Sequence, residues 1–378
     1  MPRREPSMAA FDFSARLRAV RAWFNASDED WADWRWHMRR RVTTIEDLSR
    51  FLPLNSQEAD LIDKAGKRFR WAITPYALAL IDPDDPACPI RAQLVPSGME
   101  LISEVGMPDP LNELEHSPVP DLIRVYPDRV ALCITDICQV YCRHCFRKRR
   151  VHEAPPADAF ERAVEYIAAH SELRDILVTG GDPLMFSDDA LLEKLSRLRA
   201  IPHVQILRVG TRAPCMLPMR VTDELAKGLA ALHPLYVNVQ FNHPRELTED
   251  AVAALARLID RGIPLGNQSV LLKGVNDSLP VMKELVHKLL MARARPYYIF
   301  HPQLVEGTEH FIPPVEVGLE IHAGLEGWTS GLAVPLYILD TPFGKVPLAQ
   351  SRLVSRDADG FTVRAFKGEV WKEPNPKR

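Results

Sequence analysis

From residue 130 onward, short apolar runs alternate with longer amphipathic stretches, and this alternation restricts the fold more than any other feature of the sequence. Strands that alternate with helices predict a parallel α/β sheet, and nearly continuous apolar strands predict a sheet covered on both faces. The predicted strands are 130–135, 175–179, 204–209, 235–241, 264–272 and 296–300, with one more near 336–339. The predicted helices between them are 157–170, 188–199, 222–232, 249–261 and 279–291.

Six such units and one further strand predict an incomplete (βα)6 barrel of the TIM type, with an open doubly wound sheet as the alternative that periodicity alone leaves open. The first part of the chain has a different pattern, with helices predicted at 14–24, 30–41 and 45–51. Thr44, followed three residues later by Asp47, predicts a capped start for the third of these helices. We therefore predict a helical N-terminal extension (1–125), a partial barrel (126–312) and a short C-terminal segment (313–378).

The composition excludes several classes of protein. A formal net charge of −3 gives no electrostatic reason to expect a nucleic-acid or membrane partner. No apolar leader follows Met1, and no apolar run approaches the ~18 residues of a membrane span. The six cysteines do not have the spacing of a disulfide framework, which favours a reducing compartment. We therefore expect a cytoplasmic protein.

Three cysteines follow the first predicted strand directly, in Cys138-Gln-Val-Tyr-Cys142-Arg-His-Cys145. Thiolates are soft ligands that favour iron–sulfur clusters, zinc or copper(I). Because only three cysteines are close in sequence, this segment cannot form a closed four-thiolate site. A four-iron cluster held by three cysteines keeps one iron free to bind another molecule. A zinc site would need a fourth ligand, for which His144 is the nearest candidate.

Polar segments accompany three other predicted strands. Thr179-Gly-Gly-Asp-Pro183 follows the second strand, Gly266-Asn-Gln-Ser269 lies in the fifth, and Asp340-Thr-Pro-Phe-Gly-Lys345 begins near the last. In a barrel of parallel strands, the carboxyl ends of the strands carry the site. The sequence therefore predicts that these segments and the cysteines meet on one face, where the glycine pair lets the backbone approach a ligand.

Segments such as Tyr141-Cys-Arg-His-Cys145, Phe241-Asn-His-Pro244 and Gly274-Val-Asn-Asp277 make the sequence, from about residue 31 to residue 373, resemble the lysine 2,3-aminomutase family. The resemblance implies a radical S-adenosylmethionine (SAM) enzyme, an isomerase that moves the α-amino group of an amino acid to its β-carbon. It implies a 4Fe-4S cluster, SAM and pyridoxal phosphate (PLP) as cofactors, an electron donor such as flavodoxin or ferredoxin, and a homo-oligomer. The segments that carry it include Ile73-Thr-Pro-Tyr76, Tyr126-Pro-Asp-Arg129, Tyr141-Cys-Arg-His-Cys145, Phe241-Asn-His-Pro244, Gly266-Asn-Gln-Ser-Val-Leu-Leu272, Gly274-Val-Asn-Asp277 and Pro296-Tyr-Tyr298.

The resemblance also implies residues that bind the cofactors. Lys345 matches the catalytic lysine that holds PLP, and Arg129 matches an arginine near the PLP phosphate. The position of a second family arginine is Val125 here, with Arg124 beside it, and Gln240 replaces a family histidine. The residues that match the cluster ligands are Cys138, Cys142 and Cys145. The residues that match the SAM-binding segment are Gly180, Gly181 and Asp182, with Gln268 as a further polar contact and His243 as a further cofactor-binding residue.

For the substrate, Arg147 matches the arginine that binds the carboxylate, a task suited to a planar guanidinium. Lysine enzymes of the family hold the distal ammonium with two aspartates, of which one is Asp340 and the other is replaced by Gln303. An amide accepts a hydrogen bond but supplies no charge. We therefore predict a cationic or neutral polar amino acid, with lysine first and arginine, ornithine or a shorter diamino acid as alternatives.

Longer family members carry a structural zinc site, which we do not predict here. Ser278 occupies the position of one of its cysteines, and residues 373–378 contain none. Two other functions fit all or part of the pattern. A radical SAM–PLP enzyme that eliminates or desaturates an amino acid would share every motif, and a zinc-binding structural protein would use only the three cysteines.

Overall fold

The computed structural model describes residues 11–151, 153–348, 352–357 and 360–374. Within them, the main sheet consists of β1 (Leu122–Ile123), β2 (Arg129–Cys133), β3 (Asp175–Thr179), β4 (Ile206–Thr211), β5 (Leu235–Val239), β6 (Leu265–Val270), β7 (Arg295–His301), β8 (Leu336–Thr341) and β9 (Gly344–Pro347). Strands β2 to β8 pair in parallel and in chain order, whereas β1 and β9 add antiparallel edges.

This order confirms the incomplete barrel and excludes the doubly wound alternative, in which the strand order reverses within the sheet. The sheet is not closed, because β2 and β8 pair with β1 and β9 and not with each other. The helices of the barrel and the segment after it are α8 (Ala159–Ala169), α9 (Asp188–Arg199), α10 (Ala213–Met216), α11 (Asp223–Ala230), α12 (Glu249–Ile259), α13 (Leu279–Met291) and α14 (Val315–Leu325). The predicted bounds of α9 and α13 match those observed.

The first part of the chain is helical, as predicted, but its helices are more numerous and several are shorter than predicted. Its elements are α1 (Phe13–Trp23), α2 (Asp28–Ala32), α3 (Trp34–Arg39), α4 (Ile45–Leu48), α5 (Ser56–Arg68), α6 (Pro75–Ala79) and α7 (Pro89–Leu94). The helix predicted at 30–41 is divided at Asp33, whose side chain accepts hydrogen bonds from the backbone of Arg35 and Trp36 and so starts α3. Thr44 caps α4 as predicted, because its hydroxyl oxygen accepts a hydrogen bond from Asp47 N. The Asp47 carboxylate accepts from the Thr44 hydroxyl and not from the Thr44 backbone N–H.

The extension and the barrel share one hydrophobic core. Val20, Leu48 and Ile90 from the extension belong to the same buried cluster as barrel residues and Tyr337 of β8. The Tyr76 hydroxyl also lies 2.6 Å from the hydroxyl of Thr248, which caps α12. The boundaries at 125 and 312 therefore remain predictions, since burial does not separate the two parts.

Residues near the C-terminus form a separate antiparallel sheet of β10 (Leu353–Arg356), β11 (Gly360–Arg364) and β12 (Val370–Pro374). The described side chains of β10 and β12 are exposed. Among the residues described, no helix has both the length and the apolar character needed to cross a membrane.

Candidate active site

A cavity of about 570 Å³ opens at the carboxyl ends of the barrel strands and extends into the barrel. It gathers the predicted residues from segments that are far apart in the chain. The predicted site residues that line it are Arg129, Cys138, Cys142, Cys145, Arg147, Gly180, Gly181, Asp182, Gln268, Gln303, Asp340 and Lys345.

His243 lies outside this lining. Its Nδ1 accepts a hydrogen bond from the backbone of Arg245 at 3.1 Å and so starts a short 3-10 turn. Burial lowers the pKa of His243 to about 3, which keeps the ring neutral. The structure thus gives His243 a place in the turn and does not bring it to the cavity.

The helical extension supports the cysteine loop. Arg41 donates to the carbonyl oxygen of Cys138 at 2.9 Å. The fully buried carboxylate of Glu100 accepts from Arg143 Nε at 2.9 Å and from Lys148 Nζ at 2.6 Å. Burial lowers the pKa of Lys148 to about 8, although the charge of Glu100 opposes this change. The Glu100 carboxylate therefore binds side chains that lie on either side of Cys145 in the sequence.

Three thiols from one loop are a donor set that fits a 4Fe-4S cluster with one open iron. All three line the cavity from one loop, and Cys145 N donates to Cys142 O at 3.1 Å. In the described part of the chain, no three histidine, cysteine or acidic side chains are gathered around one point as ligands of one ion. Tetrahedral zinc needs all its ligands within about 2.3 Å of one centre, whereas a 4Fe-4S cluster binds each thiolate through a different iron atom. The zinc candidate His144 instead has Nε2 3.3 Å from Asn242 Nδ2.

The backbone at Gly180 and Gly181 packs against the residues that lead into the cysteine loop. Gly180 has φ +134°, and a Cβ there would lie 2.5 Å from Thr135 O. A Cβ at Gly181 would overlap the carbonyl oxygen of Ile137. Gly181 N also donates to Thr135 O at 2.5 Å. The missing side chains therefore let the β3 loop pack on the backbone that leads into the cysteines.

Asp182 is buried, and its carboxylate is bound by protein donors. It accepts from Thr211 Oγ1 at 2.7 Å, from Arg212 N at 2.8 Å and from Leu184 N at 3.0 Å. Burial raises the pKa of Asp182, and these hydrogen bonds oppose that change. Asp182 therefore joins the ends of β3 and β4 beside the cavity.

Asp340 and Lys345 are direct partners across the β8–β9 hairpin, so their side chains lie on one face. Lys345 Nζ is 3.0 Å from Asp340 Oδ2. The backbone N–H of Lys345 donates to the Tyr126 hydroxyl at 2.8 Å. The two residues that the resemblance assigns to PLP and to the substrate are thus held as an ion pair.

Arg129 stacks on the ring of Tyr126, with its guanidinium carbon 3.6 Å from the ring centroid. Arg124 does not replace the second family arginine, because it binds Glu172 and the Tyr166 hydroxyl at 2.7 and 2.9 Å. Val125 lines the cavity at that position.

Arg147 is oriented by Glu113, which the sequence did not suggest. Its Nε and Nη2 lie 2.9 and 2.8 Å from the same oxygen of the buried Glu113 carboxylate. Its Nη1 lies 3.4 Å from Thr179 Oγ1. One edge of the guanidinium is therefore occupied by protein, and its remaining N–H groups are available for an anion.

Two further features of the site could not be predicted from the sequence, because they depend on strand register and on which side chains are buried. The pairing of β6 with β7 shifts between Asn267 and Gln268, which makes Tyr297 an extra residue, and both Tyr297 and Tyr298 line the cavity. At the end of β4, buried Arg212 donates from Nη1 to Cys142 Sγ at 2.7 Å. The available signal was the position of Arg212 just after a predicted barrel strand.

Known proteins resemble this chain along nearly its whole length. The profile of the radical SAM superfamily matches residues 132–286. An L-lysine 2,3-aminomutase of Clostridium subterminale is 46% identical over 358 residues, which cover 93% of this chain and 86% of that protein. The enzyme of the same name from Bacillus subtilis is 41% identical, covering 95% and 78%. A glutamate 2,3-aminomutase of Clostridioides difficile is also 41% identical, covering 96% and 87%.

Proposed function

The chain belongs to the lysine 2,3-aminomutase family of radical SAM enzymes, and from this premise we propose that its substrate is L-lysine, which it converts into β-lysine. As a member, it is an isomerase that uses a 4Fe-4S cluster, SAM and PLP. When bound, these cofactors supply the radical and the group that carries the migrating nitrogen. The protein binds and orients the reactants and excludes water.

The contact between Asp340 and Lys345 is the observation that supports lysine as the substrate. Asp340 already binds an alkylammonium group, since Lys345 Nζ lies 3.0 Å from its Oδ2. The distal ammonium of a lysine substrate is the same chemical group. We assign Lys345 to PLP, and once its amine is engaged with PLP, the Asp340 carboxylate, only 19% exposed, lacks a free ammonium partner. A cationic substrate side chain restores that partner.

The other end of the substrate is assigned to Arg147. Glu113 fixes its guanidinium from one side, so that the opposite N–H groups can bind the α-carboxylate with two hydrogen bonds. For the cofactors, the proposal assigns the cluster to the three loop cysteines, SAM to the segments around Gly180 and Gln268, and the PLP phosphate to Arg129.

Gln303 supports a second candidate within the same chemistry. It lines the cavity and carries no charge where lysine enzymes have an aspartate. The side chain of arginine, ornithine or a shorter diamino acid also carries one positive charge, which would pair with the single carboxylate of Asp340. Elimination or desaturation would use the same residues and is separated from amino migration by its product.

The proposal includes two kinds of macromolecular partner. A one-electron donor such as flavodoxin or ferredoxin would reduce the cluster. A homo-oligomer would cover apolar side chains that are exposed in the single chain, including Phe343 (94% exposed) and Trp371 (64% exposed).

A substrate panel tests the proposal. The enzyme is reconstituted with iron, sulfide and PLP without oxygen, supplied with SAM and a reductant, and incubated with lysine, arginine, ornithine, 2,4-diaminobutyrate, glutamate or alanine. NMR should detect β-lysine from lysine. Turnover of glutamate alone would contradict the role given to Asp340, and an unsaturated product would establish elimination.

A further inference from the structure

Arg212 connects the end of β4 to the cysteine loop through a single N–H···S contact. Its Nη1 lies 2.7 Å from Cys142 Sγ, and only 4% of the residue is exposed. No motif used to recognise the site contains this arginine. Since solvent does not screen a buried guanidinium, its charge acts strongly on the sulfur atom it contacts.

A buried network holds Arg212 in this position. Its Nη2 donates to Glu246 Oε1 at 2.9 Å and to Gln93 Oε1 at 2.7 Å. Gln93 comes from α7 in the extension and also donates to Glu246 Oε1 at 2.9 Å. The second oxygen of Glu246 accepts from the backbone N–H groups of Asn242 and His243 at 2.5 and 3.1 Å. Because each of these residues has several partners, the guanidinium cannot turn away from Cys142 without breaking other hydrogen bonds.

Hydrogen bonds and charges at the sulfur ligands change the reduction potential of an iron–sulfur cluster. Reduction adds one negative charge to the cluster. A cationic N–H donor at a ligand sulfur stabilises the reduced form more than the oxidised form, and therefore raises the potential. Residues that orient such a donor act on the metal centre without touching it.

We propose that Arg212 is a positioning residue that sets the reduction potential of the cluster through Cys142, and that Glu246 and Gln93 keep its guanidinium aimed at that sulfur. This inference rests on the proposed function, because it requires a cluster on the three cysteines. It adds to that function a means by which the helical extension adjusts electron entry into the active site.

The test measures cluster potential and not turnover. Arg212→Gln and wild-type enzyme are reconstituted, checked for iron content and thermal unfolding, and titrated with the reduced cluster followed by electron paramagnetic resonance. Loss of a charged hydrogen bond should make reduction about tenfold less favourable, which is about 59 mV more negative for a one-electron couple. Because Arg212→Gln leaves Glu246 buried without a cation, the double variant Arg212→Gln/Glu246→Gln is measured too. It removes equal and opposite charges, and its potential should also fall.

Arg220 provides the matched control. It is also fully buried and ion-paired, with Nη1 2.8 Å from Asp188, but its other partners are the carbonyl oxygens of Leu184 and Phe186. Arg220→Gln should leave the potential unchanged. Equal potentials in the wild-type and Arg212 variants, or the same change in the Arg220 variant, would overturn the inference alone. A wild-type protein that binds no cluster would overturn the proposed function as well.

Discussion

Asp340 and Lys345 form an ion pair, and the proposed function gives Asp340 to the substrate and Lys345 to PLP. They face each other across the β8–β9 hairpin at 3.0 Å, and both line the cavity. Gln303, after β7, lines the same cavity without a charge. Under the proposed function, the negative charge that faces the substrate side chain is that of the Asp340 carboxylate.

Asp340→Asn should raise the KM for lysine by about 10- to 100-fold, because a charged hydrogen bond is worth about 1.5–3 kcal/mol. Gln303→Asp should lower this KM, since it supplies a second carboxylate to the distal ammonium. Steady-state kinetics with lysine measure both effects. Asp260→Asn is the control, because that acid forms an exposed ion pair with Arg293. A lysine KM unchanged in Asp340→Asn would remove Asp340 from the substrate site.

At the scale of elements, the cysteine loop depends on the loop after β3. The backbone at Gly180 and Gly181 lies directly against residues 134–137, before the first cluster cysteine. The sequence suggested that these glycines approach a ligand. The structure shows that they also let the loop after β3 pack against the loop after β2. The position of Cys138 is therefore linked to the path of the chain after β3.

Gly181→Ala should displace the cysteine loop, because the added Cβ would overlap the Ile137 carbonyl group. Such overpacking costs about 1–3 kcal/mol of unfolding free energy, and the variant should bind less iron. Iron per chain after anaerobic reconstitution measures the effect. Gly331→Ala serves as control, because no heavy atom lies within 4 Å of its added Cβ. Equal iron content in both variants would show that the loop tolerates the change.

At the scale of the whole molecule, the extension and the barrel fold together through a shared core and a buried ion cluster. Glu100 of the extension is fully buried between Arg143 and Lys148, which flank the end of the cysteine loop. Gln93, also from the extension, reaches Arg212 behind the loop. The extension is therefore part of the support of the site.

Glu100→Gln should lower the unfolding free energy by about 3–5 kcal/mol, because it leaves two buried cations without their carboxylate. Denaturant unfolding measures this loss. Asp63→Asn is the comparison, since Asp63 forms an exposed ion pair with Lys67 that is worth about 0–1 kcal/mol. If Glu100→Gln and Asp63→Asn were equally stable, the buried ion cluster around Glu100 would not be essential to the fold.

Acid should destabilise the protein partly through His37. Burial lowers the pKa of His37 from 6.5 to about 4, and its Nε2 lies 2.8 Å from Trp31 O. As the pH falls from 6.5 to about 4, the unfolded chain takes up a proton that the folded chain does not. The unfolding free energy should therefore decrease across this window. In His37→Gln, denaturant midpoints should fall less steeply with pH, and an unchanged slope would contradict the assignment.

The strand–helix order, the incomplete barrel and the segments that meet at its carboxyl face could all be predicted from the residues. Local periodicity and the end of each strand depend on nearby residues, so α9 and α13 could be predicted to the residue. Which side chains touch could be read only from the folded chain. Glu113, Glu246 and Gln93 are far in sequence from the residues they hold, and no local pattern reports a contact across such a distance. His243, predicted as a cofactor residue, lies in a turn outside the cavity lining, where its Nδ1 accepts from Arg245 N. The physical reason is the same in each case: short-range preferences form the elements, whereas burial and charge compensation between distant segments place the side chains of the site.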